Sequence, residues 1–80
     1  MTEFLPVVMA LTRIIDYGEY YYIEYSNAKY IIRKDHLWHD LRNVISTIPC
    51  PYVYDFLKIV SIRLRINYSD AVKLVKCYPW

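Results

Sequence analysis

The stretch "SIRLRINYSDAVKLVK" (Ser61–Lys76) admits two foldings, and the choice between them decides the architecture of this 80-residue chain. As a strand, Ile62, Leu64 and Ile66 fall on one side and Arg63 and Arg65 on the other, the period-2 alternation of a half-buried ribbon. As helices, the same letters are the end of one rod, a reversal at Arg65-Ile66-Asn67, and the start of another. The strand would have to begin inside a helical pattern already running from Val53, with no turn residue before it. Val53, Phe56, Leu57, Val60 and Leu64 lie on one face of that helix, so the helical reading extends a pattern the strand reading must break.

With the reversal in place, Asn67 caps a third helix. Asp70, three residues on, can bond back to the cap's backbone N–H in the manner of a capping box, a shorter substitute for the usual Glu. Ala71, Leu74, Val75 and Tyr78 then share an inward face, and Tyr68, Ser69, Val72, Lys73 and Lys76 point elsewhere. Upstream, Asp35 is the expected N-cap of a helix carrying Leu37, Leu41, Val44, Ile45 and Ile48 on one stripe. Pro49-Cys50-Pro51 stops it, because neither proline continues helical bonding, and the next helix opens after Pro51.

The N-terminal half has a different grain. Glu19–Ser26, "EYYYIEYS", and Lys29–Lys34, "KYIIRK", are dense in β-favouring residues. Ser26–Lys29 between them reads as a hairpin turn centred on Asn27-Ala28, with a longer loop as the alternative, since Ala is a poorer second turn residue than Gly. Val7–Asp16 alternates, but both faces are mostly apolar, so strand and helix both stay open there. Tyr17-Gly18 is the one glycine-containing turn. The expected fold is α+β: a single domain, with an antiparallel meander of two or three strands over residues 1–34 and three helices over 35–80, the last two a helix-turn-helix.

Composition sets bounds. A single glycine excludes a glycine-rich phosphate loop, and no apolar run approaches the ~20 residues of a membrane span. With no basic region before an apolar core, no signal peptide is read; the expected location is the cytoplasm, that of the host cell for a viral protein. At this length folding buries only about 60% of the unfolded chain's surface, so a composition 56% apolar serves a small core or leaves apolar surface for a second subunit. Cys50 and Cys77 would be free thiols in an ordinary cytosolic protein; a Cys50–Cys77 bond is the alternative in a thermophile.

Val60, the small Ser61, Leu64, Ile66, Ala71 and Leu74 resemble, in spacing, the helix-turn-helix DNA-binding motif, over about a quarter of the chain (Val60–Lys76). Arg65 departs from it, standing where the family prefers a glycine. The resemblance implies that Tyr68, Ser69 and Lys73 face base edges, that Val72 touches a thymine methyl, and that Arg63, Arg65 and Lys76 lie near phosphates. Charge agrees: from Val53 onward five basic residues meet two acidic ones, net +3, whereas the preceding part is net −1. Double-stranded DNA is thus the expected partner. A homodimer would double the contacts, with Tyr20, Tyr22, Tyr25 and Tyr30 of the hairpin as its interface.

The Tyr- and Ile-rich, Gln-free composition resembles small proteins encoded by viruses of hyperthermophilic archaea, which implies a viral transcriptional regulator. The competing expectation is a virus-encoded module that binds and inhibits a host protein, with the helix pair as scaffold only. His36 and His39 have the spacing of a metal pair, but no third ligand stands at a telling interval. No cofactor, metal site or enzymatic activity is expected.

Overall fold

The computed structural model describes residues 11–76. Three antiparallel strands, β1 (Leu11–Asp16), β2 (Tyr20–Tyr25) and β3 (Ala28–Arg33), form a sheet in the order β1-β2-β3. A 3₁₀ turn over Lys34–His36 leads into α1 (Leu37–Ile45), followed by α2 (Cys50–Leu64) and α3 (Tyr68–Val72). This is the expected α+β order of meander and then helices. The expected beginning of the first strand at Val7, the inward placement of Tyr78, and Cys77 lie outside the described residues.

The open choice at the first segment resolves to strand, because pairing with β2 gives its backbone a ladder: Ile14 lies opposite Ile23 and Ile15 opposite Tyr22. The β1–β2 connection turns at Gly18, whose φ of 96° suits a residue without Cβ, and its N–H donates to Asp16 Oδ1 at 2.8 Å. The hairpin tip sits one residue earlier than expected. Tyr25 and Ala28 already pair across the ladder, so the two loop residues are Ser26 and Asn27, with φ of 50° and 71°. Two consecutive positive φ values match the right-handed twist of the strands they join, and Asn tolerates that region well.

Register divides the sheet into two faces. Ile14, Tyr21, Ile23, Tyr25, Tyr30 and Ile32 face the helices; Arg13, Ile15, Tyr20, Tyr22, Glu24, Lys29 and Ile31 face away, while Arg33, at the end of β3, bonds to Asp40 of the first helix. The inner set meets Leu41, Val44 and Ile45 of α1, Ile48, and Val53, Phe56, Leu57, Val60 and Leu64 of α2. The helical stripes read from the sequence are thus the core, and each fully buried side chain contributes roughly 1.5–3 kcal/mol of apolar transfer.

Two helix starts differ from expectation. Asp35 lies within the 3₁₀ turn, and no side chain caps either that turn or α1. α2 begins at Cys50 rather than after Pro51; Pro51 sits in the first turn, where a missing N–H leaves no intrahelical bond unmade. Cys50 is disulfide-bonded, not a free thiol. Among the described residues no helix is long and apolar enough to cross a membrane.

Candidate nucleic-acid interface

α2 ends in a left-handed residue, Arg65, at φ 59° and ψ 46°. The N–H of Ile66 reaches back to the carbonyl of Ser61 at 3.0 Å, closing a Schellman-type cap, and Ile66 packs against the core. Glycine takes this conformation freely; an L-residue gives up about 1–2 kcal/mol to do so. Arg65 therefore adopts, at the turn, a backbone conformation that glycine takes without strain.

The reversal delivers Asn67 as the N-cap of α3, its Oδ1 accepting from the Asp70 N–H at 3.2 Å. The reciprocal half of the capping box is replaced: the Asp70 carboxylate lies 3.6 Å from Lys73 Nζ instead. After Val72 the winding tightens, with Lys73, Leu74 and Val75 donating to residues three back. Ala71 is fully buried, while Leu74 and Val75 pack partly against the core, as their spacing anticipates.

The residues expected to touch DNA separate into groups. Ser69, Lys73 and Lys76 are exposed, and Val72 is half-buried. Tyr68, expected to point outward, is half-buried and packs on the core, where it lines a cleft with Lys58, Ser61, Ile62 and Ile66. Lys76 borders a different hollow, with Arg42 and Asn43 of α1.

Arg63 and Arg65 come together in a third place. They line a cavity of about 380 Å³ with Ile14, Asp16, Tyr21 and Lys34. Arg63 stretches from the last turn of α2 to donate from Nη2 to the Ile14 carbonyl at 3.2 Å. Lys34 Nζ lies 2.9 Å from Asp16 Oδ1 and 4.8 Å from the centre of the Tyr21 ring. The Lys34 ammonium, then the Gly18 N–H, hold the Asp16 carboxyl below its ordinary pKa; Asp16 in turn raises that of Lys34. Lys34 was missed in the sequence. Its signal was parity: Ile14 and Asp16, Tyr21 and Ile23, and Ile32 fall on the inner side of their strands, and Lys34, just past the end of β3, continues the parity of Ile32, its N–H bonded to the Glu19 carbonyl at 3.0 Å.

The four tyrosines expected at a dimer interface also divide. Tyr25 is buried, its ring edge-to-face with Phe56 at 5.0 Å, and Tyr30 packs on the core with its hydroxyl 2.9 Å from Thr47 Oγ1. These two face the helices and are removed from the expected interface; the period of a strand assigns them there, whatever their aromatic character. Tyr20 and Tyr22 do lie on the outer face. Ile15, Tyr22 and Ile31 form a row across it, with Tyr17 stacked on Tyr20 at 5.3 Å beside them.

His39 lies 3.4 Å from the Asn43 amide and His36 4.0 Å from Asp35, while Asp40 is engaged by Arg33. Among the described residues no three His, Cys, Asp or Glu side chains are grouped to hold a metal ion. Compared with known proteins, the chain matches no family model, no curated protein and no solved structure.

Proposed function

We propose that this protein binds double-stranded DNA sequence-specifically and acts as a dimeric transcriptional regulator, a role that its composition fits for a small viral protein. The observation that carries the reading is the left-handed reversal at Arg65 followed by a capped α3 with Ser69 exposed on it and Lys73 exposed just past its end. A short helix held by its buried Ala71, with polar side chains outward, suits the width of a major groove. Arg63 and Arg65 at one hollow and Lys76 at another add positive charge that attracts phosphates without reading sequence. The outer sheet face, with Tyr20 and Tyr22, is the surface offered to the second subunit.

Selection from a random duplex pool, followed by polarisation titrations at two salt concentrations, tests the reading. The expected results are an enriched site, affinity that falls steeply with salt, and a loss of about tenfold in Lys73→Ala. Failure of any duplex to bind at low salt overturns it. One observation favours a second reading, a protein-binding module directed at a host protein, but through the helix pair rather than with that pair as scaffold only: Ile62 is 77% exposed on α2, with Ile59 also exposed nearby. Under that reading Ile62→Glu abolishes co-purification of the host protein, and no duplex is retained.

A further inference from the structure

We propose that the cavity between the inner end of the sheet and the C-terminal end of α2 is a phosphate-binding site, in which Lys34, Arg63 and Arg65 hold one phosphate group. The cavity gathers three cations from distant parts of the chain around a single carboxylate, Asp16, and so carries a surplus of two positive charges. Like charges collected in a concave place repel one another until an anion enters. Its volume, about 380 Å³, admits a phosphate together with several waters, each of which fills about 30 Å³ in the liquid.

The cations are also held in advance of any ligand. Lys34 is fixed by Asp16 at 2.9 Å and by the face of Tyr21, with two ammonium protons left over. Arg63 donates to the Ile14 carbonyl at 3.2 Å and retains further N–H groups. Arg65 supplies a second, independent sign. A glycine would relieve the left-handed backbone at this cap, yet an arginine stands there. Backbone strain retained at a position where the side chain borders a cationic cavity points to a role for that side chain. The guanidinium forks of two arginines and one lysine suit the oxygens of a phosphate.

The source of that phosphate is taken to be the DNA backbone, which rests on the DNA-binding reading above; a free phosphate is the other source of the same chemistry. Arg65→Gly is the decisive variant, because it deletes a cation while relaxing the backbone. It is expected to melt at or above the wild-type temperature and yet bind duplex about five- to tenfold more weakly, with a salt slope shallower by about 1. Lys34→Gln is expected to behave likewise in binding. Lys29→Gln, which removes the same charge from the outer sheet face, is expected to have much less effect. In amide spectra, inorganic phosphate is expected to shift Asp16, Lys34 and Arg65 saturably.

The outcomes separate the two readings. If duplex binds and neither Arg65→Gly nor Lys34→Gln changes its affinity or salt slope, while phosphate leaves those amides unmoved, the phosphate site is overturned and DNA binding stands. If no duplex binds but phosphate shifts those amides in the wild type and not in Arg65→Gly, the site stands for free phosphate and the DNA-binding reading falls.

Discussion

Arg33 and Asp40 meet in a two-bond fork, Nε to Oδ2 at 2.8 Å and Nη2 to Oδ1 at 2.9 Å, and the Arg33 backbone N–H adds a third bond to Oδ2 at 3.0 Å. Strand β3 lies at the edge of the sheet, where an outward N–H has no neighbouring strand to receive it. A carboxylate from α1 takes that place, so one residue fastens the helix to the sheet and satisfies the edge.

Asp40→Ala is therefore expected to destabilise the fold by about 2 kcal/mol at pH 7, since it leaves a backbone donor and a guanidinium without their acceptor. The Arg33 guanidinium, with the backbone N–H second, holds the Asp40 carboxyl well below the usual carboxylate range. An acid with a depressed folded pKa stabilises fully above its unfolded value, about 3.9, and loses that contribution as pH falls toward the folded value. Urea denaturation should show the gap between wild type and variant narrowing from about pH 4 downward. A gap equally wide at pH 7 and pH 2.5 would assign the effect to packing instead.

Asn67→Ala is expected to lower stability by about 1 kcal/mol through loss of the cap on Asp70. The loss should be local, so exchange of the Asp70 and Ala71 amides should accelerate more than that of Ile23. If all three accelerate equally, α3 does not open as a separate unit.

Ser61 is buried on α2 and its Oγ has no hydrogen-bond partner among the described residues. Ser61→Ala removes a desolvated hydroxyl and leaves little empty space, so a gain of about 1 kcal/mol is expected, a rise of a few degrees in melting temperature at this chain length. A drop of that size would show that the hydroxyl is bonded in solution.

Tyr25→Ala and Tyr22→Ala should behave as opposites. Tyr25 packs on Phe56 in the core, so its truncation is expected to destabilise by roughly 3–4 kcal/mol. Tyr22 lies on the outer face with its hydroxyl bonded to Glu24 at 2.6 Å, so truncation should change monomer stability little. Sedimentation should instead show Tyr22→Ala shifting a dimer toward monomer; an unchanged distribution would remove the outer face as the subunit contact.

The periodic parts of this fold were legible in the sequence. The stripes from Leu37 to Ile48 and from Val53 to Leu64 are the helical core, and Asn67 is the cap its position suggested. The strands emerged from aromatic and β-branched density, but the hairpin tip was misplaced by one residue because Ser26, an indifferent left-handed residue, shares the turn with Asn27. The tyrosines divide by the period of the strand: Tyr20 and Tyr22 share one parity on β2 and Tyr25 has the other, whichever residues form the tip. The cation cluster was half legible: Arg63 and Arg65 were singled out together, but Lys34 joins them only through strand pairing, a long-range relation that local spacing does not encode. The Arg33–Asp40 fork was missed because Asp40, next to His39, resembled an ordinary exposed helix residue.

The two-residue bend at Ser26-Asn27 acts as a ruler for everything downstream. One inserted residue there would shift β3 by half a pleat and send Ile32 and Tyr30 toward water, with Lys29, Ile31 and Arg33 turned to the core. Arg33 would then lose its angle on Asp40, and Lys34 would swing off the cationic hollow. The tip thus looks like a free place for grafting a tag or epitope, yet a slip in its length is passed to every residue of β3.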